Sequence, residues 1–129
     1  MPDTLYDTRF FLAAYALERG LRLRVRSELQ ARKRRFVSAI AIHEVYRISL
    51  EGEDRDVAKM RRSAIGRDFE IIDVGSDIAS ESAEIKVSQG RDFPIADAII
   101  AATAKLKRLV CVTDDAHIKS IATLKTRWF

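Results

Sequence analysis

The sequence predicts a single α/β domain over residues 1–129, with a parallel sheet of about four to five strands flanked by helices on both faces. Short apolar and β-branched runs alternate along the chain with longer segments whose apolar residues recur every three to four positions. With 129 residues and 47% hydrophobic content, the chain can bury one core, and two domains would be crowded. Strands that alternate with helices pair in parallel and are covered on both sides.

The first half of the chain predicts two strands, each followed by a helix. A short strand over residues 4–6 ends at Asp7 and Thr8, which can cap a helix over residues 9–17 that Gly20 terminates. Residues 21–33 alternate like a strand but also show i+4 apolar spacing, and their good helix formers favour a helix. A strand at residues 36–37 precedes Ser38, a cap for a helix that runs through Glu44 to about residue 50.

The second half continues the same alternation and ends in a predicted edge strand. Gly90 terminates one of its helices and Pro94 opens the next, at a position where proline is tolerated. The predicted elements are a loop at 52–54, helix 56–65, strand 69–74, a helix capped by 75–77, the helix after Pro94, strand 109–113, a turn and short helix at 114–121, and strand 128–129.

Composition argues against export and membrane insertion. No apolar run approaches the roughly 20 residues of a membrane helix, and the first residues lack the basic and apolar regions of a secretory signal. The single cysteine, Cys111, cannot form an internal disulfide and falls in a predicted buried strand, where core packing is its expected role. We therefore expect a cytoplasmic protein that makes no contact with a membrane.

The net charge of +4 is mild, but the cations are unevenly distributed. A cluster opposed only by Glu28 lies between Arg19 and Arg35, and it contains Arg22, Arg24, Arg26, Arg32, Lys33 and Arg34. Such a cluster attracts phosphate backbones. The alternative interpretation is a solvated helix face, and the sequence leaves both open.

Acidic residues stand at the ends of apolar runs. Asp97 lies in an apolar helical segment, where a carboxylate is costly unless it is paired or bound to a metal. Asp7 follows the first strand, Asp114 and Asp115 follow the strand at 109–113, and Glu44 lies in a helix that begins near the same edge. Converging carboxylates favour Mg²⁺ or Mn²⁺. Taken singly, each acid could instead be a helix cap, a turn residue or a surface residue.

Four segments in this order resemble the PIN-domain ribonucleases. They are 5–8, 38–45, 95–104 and 112–115, and the resemblance extends over essentially the whole chain. The Ala-Asp-Ala-Ile-Ile-Ala-Ala-Thr-Ala block around Asp97 is the specific one. A chain of this length looks most like the toxin of a VapBC toxin–antitoxin pair, which implies a single PIN-like domain.

The resemblance implies a set of site residues. The catalytic and metal-holding acids would be Asp7, Glu44, Asp97 and Asp115. Thr113 would orient the carboxylates, and Asp114 is the neighbour that could replace Asp115. Arg9 stands where the family usually shows Asn or Ser, which leaves its role open and suggests a phosphate contact. Ala41 stands where the family frequently has Thr.

The resemblance also implies an activity and partners. The expected reaction is Mg²⁺- or Mn²⁺-dependent hydrolysis of RNA phosphodiester bonds, leaving 5′-phosphate and 3′-hydroxyl ends. The expected partners are RNA, an antitoxin whose tail places an arginine among the acids, and a second copy of the chain that docks near Phe10, Phe11 and Tyr15. His43 and His117 lack a nucleophile partner, and we interpret His43 as a structural or surface residue.

Other functions remain open at the level of sequence. A non-catalytic PIN-fold module that binds RNA or protein would usually lose the acids, which are intact here. A housekeeping RNA-processing nuclease would keep them. A phospho-acceptor receiver domain fits poorly, because Asp7 has no acidic neighbour and no lysine directly follows Thr113.

Overall fold

The computed structural model describes residues 3–32 and 34–129. Within them the strands are β1 (Thr4–Tyr6), β2 (Arg35–Ser38), β3 (Glu70–Ile72), β4 (Val110–Val112) and β5 (Thr126–Arg127). The helices are α1 (Thr8–Ala14), α2 (Arg19–Ala31), α3 (Ala39–Gly52), α4 (Arg55–Asp68), α5 (Ser76–Gln89), α6 (Ile95–Lys107) and α7 (Ala116–Lys119). None of the described helices is long and apolar enough to cross a membrane.

The strands form one parallel sheet in the order β3-β2-β1-β4-β5, which confirms the predicted fold class. Tyr6 pairs with Val37 on one side and with Val112 on the other, so β1, β2 and β4 reach the same edge in register. The residues that follow these three strands therefore emerge side by side. This register, rather than any local motif, brings distant parts of the chain to one edge of the sheet.

Successive side chains of the central strand β1 pack into two separate apolar clusters, one on each face of the sheet. Tyr6 packs on one face with Phe10 and Val45, in a cluster that also takes side chains from α2 and α4. Leu5 packs on the other face with Ile100 and Ile118, from α6 and α7. Because successive residues of a strand point to opposite faces, both sides of the sheet are covered by helices. This confirms the predicted layering.

The boundary between α1 and α2 differs from the prediction. The first helix ends at Ala14, and Gly20 lies inside α2 instead of terminating α1. Glu18 is the reason: its carboxylate accepts hydrogen bonds from the backbone N–H groups of Gly20 and Leu21, at 2.7 and 2.8 Å, and so caps a new helix. A Cβ at Gly20 would lie 2.9 Å from Glu18 Oε1, so glycine leaves room for the cap.

The edge strand was predicted two residues too late. It is Thr126–Arg127, where Arg127 O accepts from the Thr113 N–H at 2.9 Å. Trp128 and Phe129 leave the sheet and pack against the first apolar cluster, with Phe129 edge-on to Phe10 at 5.1 Å. Aromatic burial therefore takes the last two side chains away from strand pairing.

Two side chains of the predicted docking surface, Phe10 and Phe11, lie in the core and not at the surface. Phe10 and Phe11 are 1% and 2% exposed, because the two-turn helix α1 packs both rings into the core against Tyr6 and Phe69. Tyr15 is partly buried beneath the Arg61 guanidinium, 4.2 Å from its ring centroid. The Phe10 and Phe11 rings are therefore not available to a tail or a second copy.

The end of the basic cluster makes contacts within the protein. Arg34 pairs with Glu70 at 3.1 Å, and Arg35 donates to the carbonyls of Leu29, Arg32 and Asp68. Lys33 lies outside the described residues. The exposed cations of the cluster include Arg19, Arg22 and Arg26 on α2, which share one helix face at i, i+3 and i+7 spacing.

Candidate metal centre

Asp7 is buried at the end of β1 and caps α1. Its Oδ1 accepts from the Thr8 N–H at 2.7 Å, and its Oδ2 accepts from the Thr113 hydroxyl at 2.7 Å. Asp7 is only 2% exposed. Because parallel β1 and β4 end at the same level, Thr113 can bond to a carboxylate that lies 106 positions away in the chain. Asp7 is therefore both a helix cap and a fixed acid of the sheet edge.

Glu44 reaches the same edge from α3, which begins directly after β2. Ser38 caps this helix by accepting from the Ile40 N–H at 3.2 Å, as the sequence predicts. Glu44 Oε1 accepts from the Thr8 hydroxyl at 2.6 Å. Thr8 thus donates its N–H to Asp7 and its hydroxyl to Glu44. A single residue therefore binds both carboxylates.

Asp97 and Asp115 lie beside His117, which was not among the metal ligands predicted from the sequence. His117 Nδ1 lies 3.4 Å from Asp97 Oδ2 and 3.4 Å from Asp115 Oδ1. One ligand atom from each of these three residues lies within 4.8 Å of the others. Asp115 also caps the short helix α7 by accepting from the N–H groups of His117 and Ile118, at 2.8 and 3.3 Å. A sequence signal existed: His117 stands two residues after a candidate ligand.

The four acids influence one another electrostatically. Burial raises the pKa of Asp97 to about 7, and repulsion from Asp115, Asp7 and Glu44 adds to this while His117 opposes it. Burial likewise raises the pKa of Asp7 to about 6, against hydrogen bonds from Thr113 and Thr8 that favour the carboxylate. The folded protein therefore keeps these carboxylates close together at a cost in free energy when they are ionised. A divalent cation would offset it, and carboxylate oxygens beside an imidazole nitrogen are a suitable donor set.

Arg9 lies at the rim of this centre, and its side chain is about half exposed. Its guanidinium pairs with Asp114 and lies 3.9 Å from Asp115 Oδ2. Asp114 is exposed and engaged by Arg9, whereas Asp115 faces Asp97 and His117. The geometry therefore favours Asp115 over Asp114 as the acid of the centre. The half-exposed Arg9 guanidinium lies at the rim, where a phosphate could reach it.

Neither the Cys111 thiol nor the His43 imidazole belongs to the group formed by Asp97, Asp115 and His117. Burial, together with the negative charge of Asp7 and Asp97, raises the pKa of the Cys111 thiol well above its ordinary range, which disfavours a nucleophilic thiolate. His43 lies on α3 and lines an open apolar groove with Ile42 and Tyr46. None of the four acids lines that groove.

Comparison with known proteins gives the same family. The family model for the PIN domain matches residues 4–124. A chain of a toxin–antitoxin complex from Klebsiella pneumoniae is 25% identical, covers 98% of this chain and 99% of its own length, and has a TM-score of 0.72. At a fold level, VapBC2 from Rickettsia felis bound to a promoter DNA fragment is similar at a TM-score of 0.79, with 14% identity and 98% of both chains covered.

A third similar structure is Mycobacterium tuberculosis VapC20, a toxin that cleaves the sarcin–ricin loop. It has a TM-score of 0.77 and 14% identity, over 92% of this chain and 95% of the toxin. A search of curated protein sequences gave no significant match. The PIN match spans almost the entire sheet and the helices that carry the four acids. The chain belongs to the PIN domain family.

Proposed function

We propose that this protein is a metal-dependent endoribonuclease and the toxin of a toxin–antitoxin pair. The observation that carries the proposal is the meeting of Asp97, Asp115 and His117 beside the buried Asp7, with two of the carboxylates held at raised pKa. Groups whose pKa is perturbed by burial and by like charge mark functional sites more often than structural ones. The similarity to toxin–antitoxin proteins supports the choice of reaction class.

The proposed roles follow from the contacts. Asp7, Glu44, Asp97 and Asp115 hold the cation, Mg²⁺ or Mn²⁺. Thr8 and Thr113 fix the orientation of the first two sheet-edge carboxylates through their hydroxyl and N–H donors. When bound, the cation lowers the pKa of a coordinated water and offsets charge on the phosphodiester. We expect the Arg9 guanidinium, at the rim of the centre, to pair with a non-bridging phosphate oxygen of the RNA.

RNA hydrolysis is tested with the purified chain and labelled RNA. We expect Mg²⁺ or Mn²⁺ to support cleavage to 5′-phosphate and 3′-hydroxyl ends, a chelator to stop it, and Asp97→Asn to abolish it. Asp56→Asn is the matched control, because Asp56 is an exposed acid in the first turn of α4. Binding of RNA without cleavage by the wild type would favour the non-catalytic module instead.

The proposed partner is an antitoxin whose tail pairs an arginine with the acids. The similarity to chains from toxin–antitoxin complexes supports this. Co-expression with an antitoxin encoded beside the gene should give a stable complex that inhibits cleavage. A homodimer remains a prediction; it would use a face other than the buried Phe10 and Phe11, and sedimentation at micromolar concentration tests it.

A further inference from the structure

We propose that His117 supplies a nitrogen ligand to the acidic centre, and that this ligand makes the centre prefer a divalent transition-metal ion such as Mn²⁺ over Mg²⁺. The inference rests on the proposed function only in taking the acids as a cation site. It adds a residue outside the predicted ligand set and a class of cation that the acids alone do not select.

The distances match donors that share one ion. Two ligands about 2.1 Å from an ion, at right angles or at a tetrahedral angle, are about 3.0 to 3.4 Å apart. His117 Nδ1 lies 3.4 Å from an oxygen of Asp97 and 3.4 Å from an oxygen of Asp115. The imidazole nitrogen therefore already lies at ligand spacing from two carboxylates on different helices.

Phe93 packs against the His117 ring, and Asp115 fixes the His117 backbone. Phe93, which is buried just before α6, contacts the imidazole edge-on with centroids 5.6 Å apart and planes at 77°. The backbone N–H of His117 is bound by the Asp115 carboxylate in the first turn of α7. His117 thus contacts both Asp115, its carboxylate neighbour, and Phe93, its packing partner. About half of the His117 side chain is exposed, which leaves access for water and substrate.

The added nitrogen changes which cation fits best. Mg²⁺ favours oxygen donors and keeps much of its water, whereas imidazole strengthens binding of transition ions along the series from Mn²⁺ to Zn²⁺. A centre of carboxylates alone would discriminate weakly between Mg²⁺ and Mn²⁺. One imidazole among carboxylates gives Mn²⁺ a contact that Mg²⁺ uses poorly. The competing explanation is an ion pair between a protonated imidazole and the two acids, which would exclude a cation from Nδ1.

Pulsed electron paramagnetic resonance of the Mn²⁺-loaded full chain separates these explanations. We expect a ¹⁴N modulation from a directly bound imidazole in the wild type, its loss in His117→Gln, and its retention in His43→Gln, the control at the other histidine. Calorimetry should show Mn²⁺ affinity falling about tenfold in His117→Gln. Mg²⁺ affinity should change by about twofold or less, because this ion uses the nitrogen poorly.

Each outcome decides the proposal. Mn²⁺ bound without nitrogen coupling in the wild type would overturn the ligand role of His117, while leaving the proposed nuclease standing if Asp97→Asn still abolishes cleavage. Equal losses of Mn²⁺ and Mg²⁺ affinity in His117→Gln would overturn the claim of selectivity. Absence of any Mn²⁺ binding to the wild type would overturn both this proposal and the metal-dependent function. Circular dichroism of the metal-free variants confirms that they are folded.

Discussion

The Thr113 hydroxyl donates a 2.7 Å hydrogen bond to Asp7 Oδ2, and the Thr113 Oγ1 itself accepts the N–H of Asp115 at 3.0 Å. Thr113 follows β4, and Asp7 follows β1, its neighbour in the sheet. Both residues are buried. One hydroxyl therefore sets the orientation of a carboxylate on one strand and the start of the acidic turn on the other.

Replacing Thr113 by Val should weaken metal binding without unfolding the protein. Valine has a similar shape but cannot donate, so the pKa of Asp7, which burial already raises to about 6, should rise further. We expect Mn²⁺ affinity at neutral pH to fall about tenfold, as for other groups that orient ligands. The free energy of unfolding should fall by about 1–2 kcal/mol. Calorimetric titration and chemical denaturation measure the two effects.

Thr103→Val is the matched control for this change. Thr103 is also buried, but its hydroxyl donates to the Ile99 carbonyl of its own helix at 2.8 Å. It should cost similar or less stability and leave Mn²⁺ affinity unchanged. Equal affinity losses in the two variants would show that packing, rather than the bond to Asp7, accounts for the effect.

The metal-free protein should lose stability as the pH rises through neutrality. The pKa values of Asp7 and Asp97 are raised to about 6 and about 7 from an ordinary value near 4, so the folded state binds protons more tightly than the unfolded chain. This contribution is fully present below about pH 4 and is lost between about pH 4 and pH 8. Asp97→Asn should therefore stabilise the metal-free protein by about 1–3 kcal/mol at pH 8 and by much less at pH 5.

Metal binding should stabilise the folded protein more strongly as the pH rises, opposite to the trend of the metal-free protein. Because the carboxylates must be ionised to bind a cation, the rise in Tm with Mg²⁺ or Mn²⁺ should be largest at pH 8 and shrink below about pH 6. Asp97→Asn should lose most of this rise, whereas Asp56→Asn should keep it. Thermal unfolding with and without metal at the two pH values measures this. The same metal-induced shift in Asp97→Asn and wild type would rule out Asp97 as a ligand.

Local patterns predicted the individual strands and the caps well because the interactions involved are local. The short apolar strand over residues 4–6 and the caps at Asp7 and Ser38 depend on neighbouring residues alone. The Gly20 prediction failed because glycine at the end of an apolar run usually terminates a helix. Here the Glu18 carboxylate captures the adjacent N–H groups and starts a new one.

The remaining errors concern contacts that only tertiary structure creates. Nothing near Phe11 in the sequence indicates that Phe69, 58 positions later, covers its ring. His117 and Asp97 lie on different helices, and they meet only because α6 and α7 both begin at the same edge of the sheet. The acids were visible as charges in apolar surroundings. An imidazole in a polar turn carries no such contrast.

A buried polar clasp on the other side of β1 should contribute strongly to stability. Tyr6 donates to Glu28 Oε2 at 2.5 Å, and Arg127 binds both Glu28 oxygens at 2.9 and 2.8 Å. Burial opposes ionisation of Glu28, but the bonds from Arg127 and Tyr6 outweigh it and hold its pKa below the ordinary value. Glu28→Gln leaves Arg127 without its charge partner and should cost about 3 kcal/mol. Denaturant unfolding measures the loss.

Glu51→Gln provides the comparison for the clasp. Glu51 pairs with Arg47 one turn away on α3, and its side chain is 64% exposed, so its loss should cost about 0.5 kcal/mol or less. The sign of the pH dependence gives a second check. A lowered acid pKa stabilises above the unfolded value, so the gap between wild type and Glu28→Gln should close as the pH falls below about 4. A gap independent of pH would contradict the ionised clasp.

The exposed face of α2 should contribute to RNA affinity. Arg19, Arg22 and Arg26 share that face, away from the core side that buries Val25. Replacing all three by Ser should weaken RNA binding and reduce the slope of log K against log salt by about 2, because roughly 0.7 counterions are released for each phosphate contact with a single strand. The loss should be similar for different RNA sequences. Replacing Arg55, Lys59 and Arg62 on α4 by Ser changes the net charge equally and serves as the control. If both triple variants bind alike across salt concentrations, net charge rather than the α2 face governs RNA attraction.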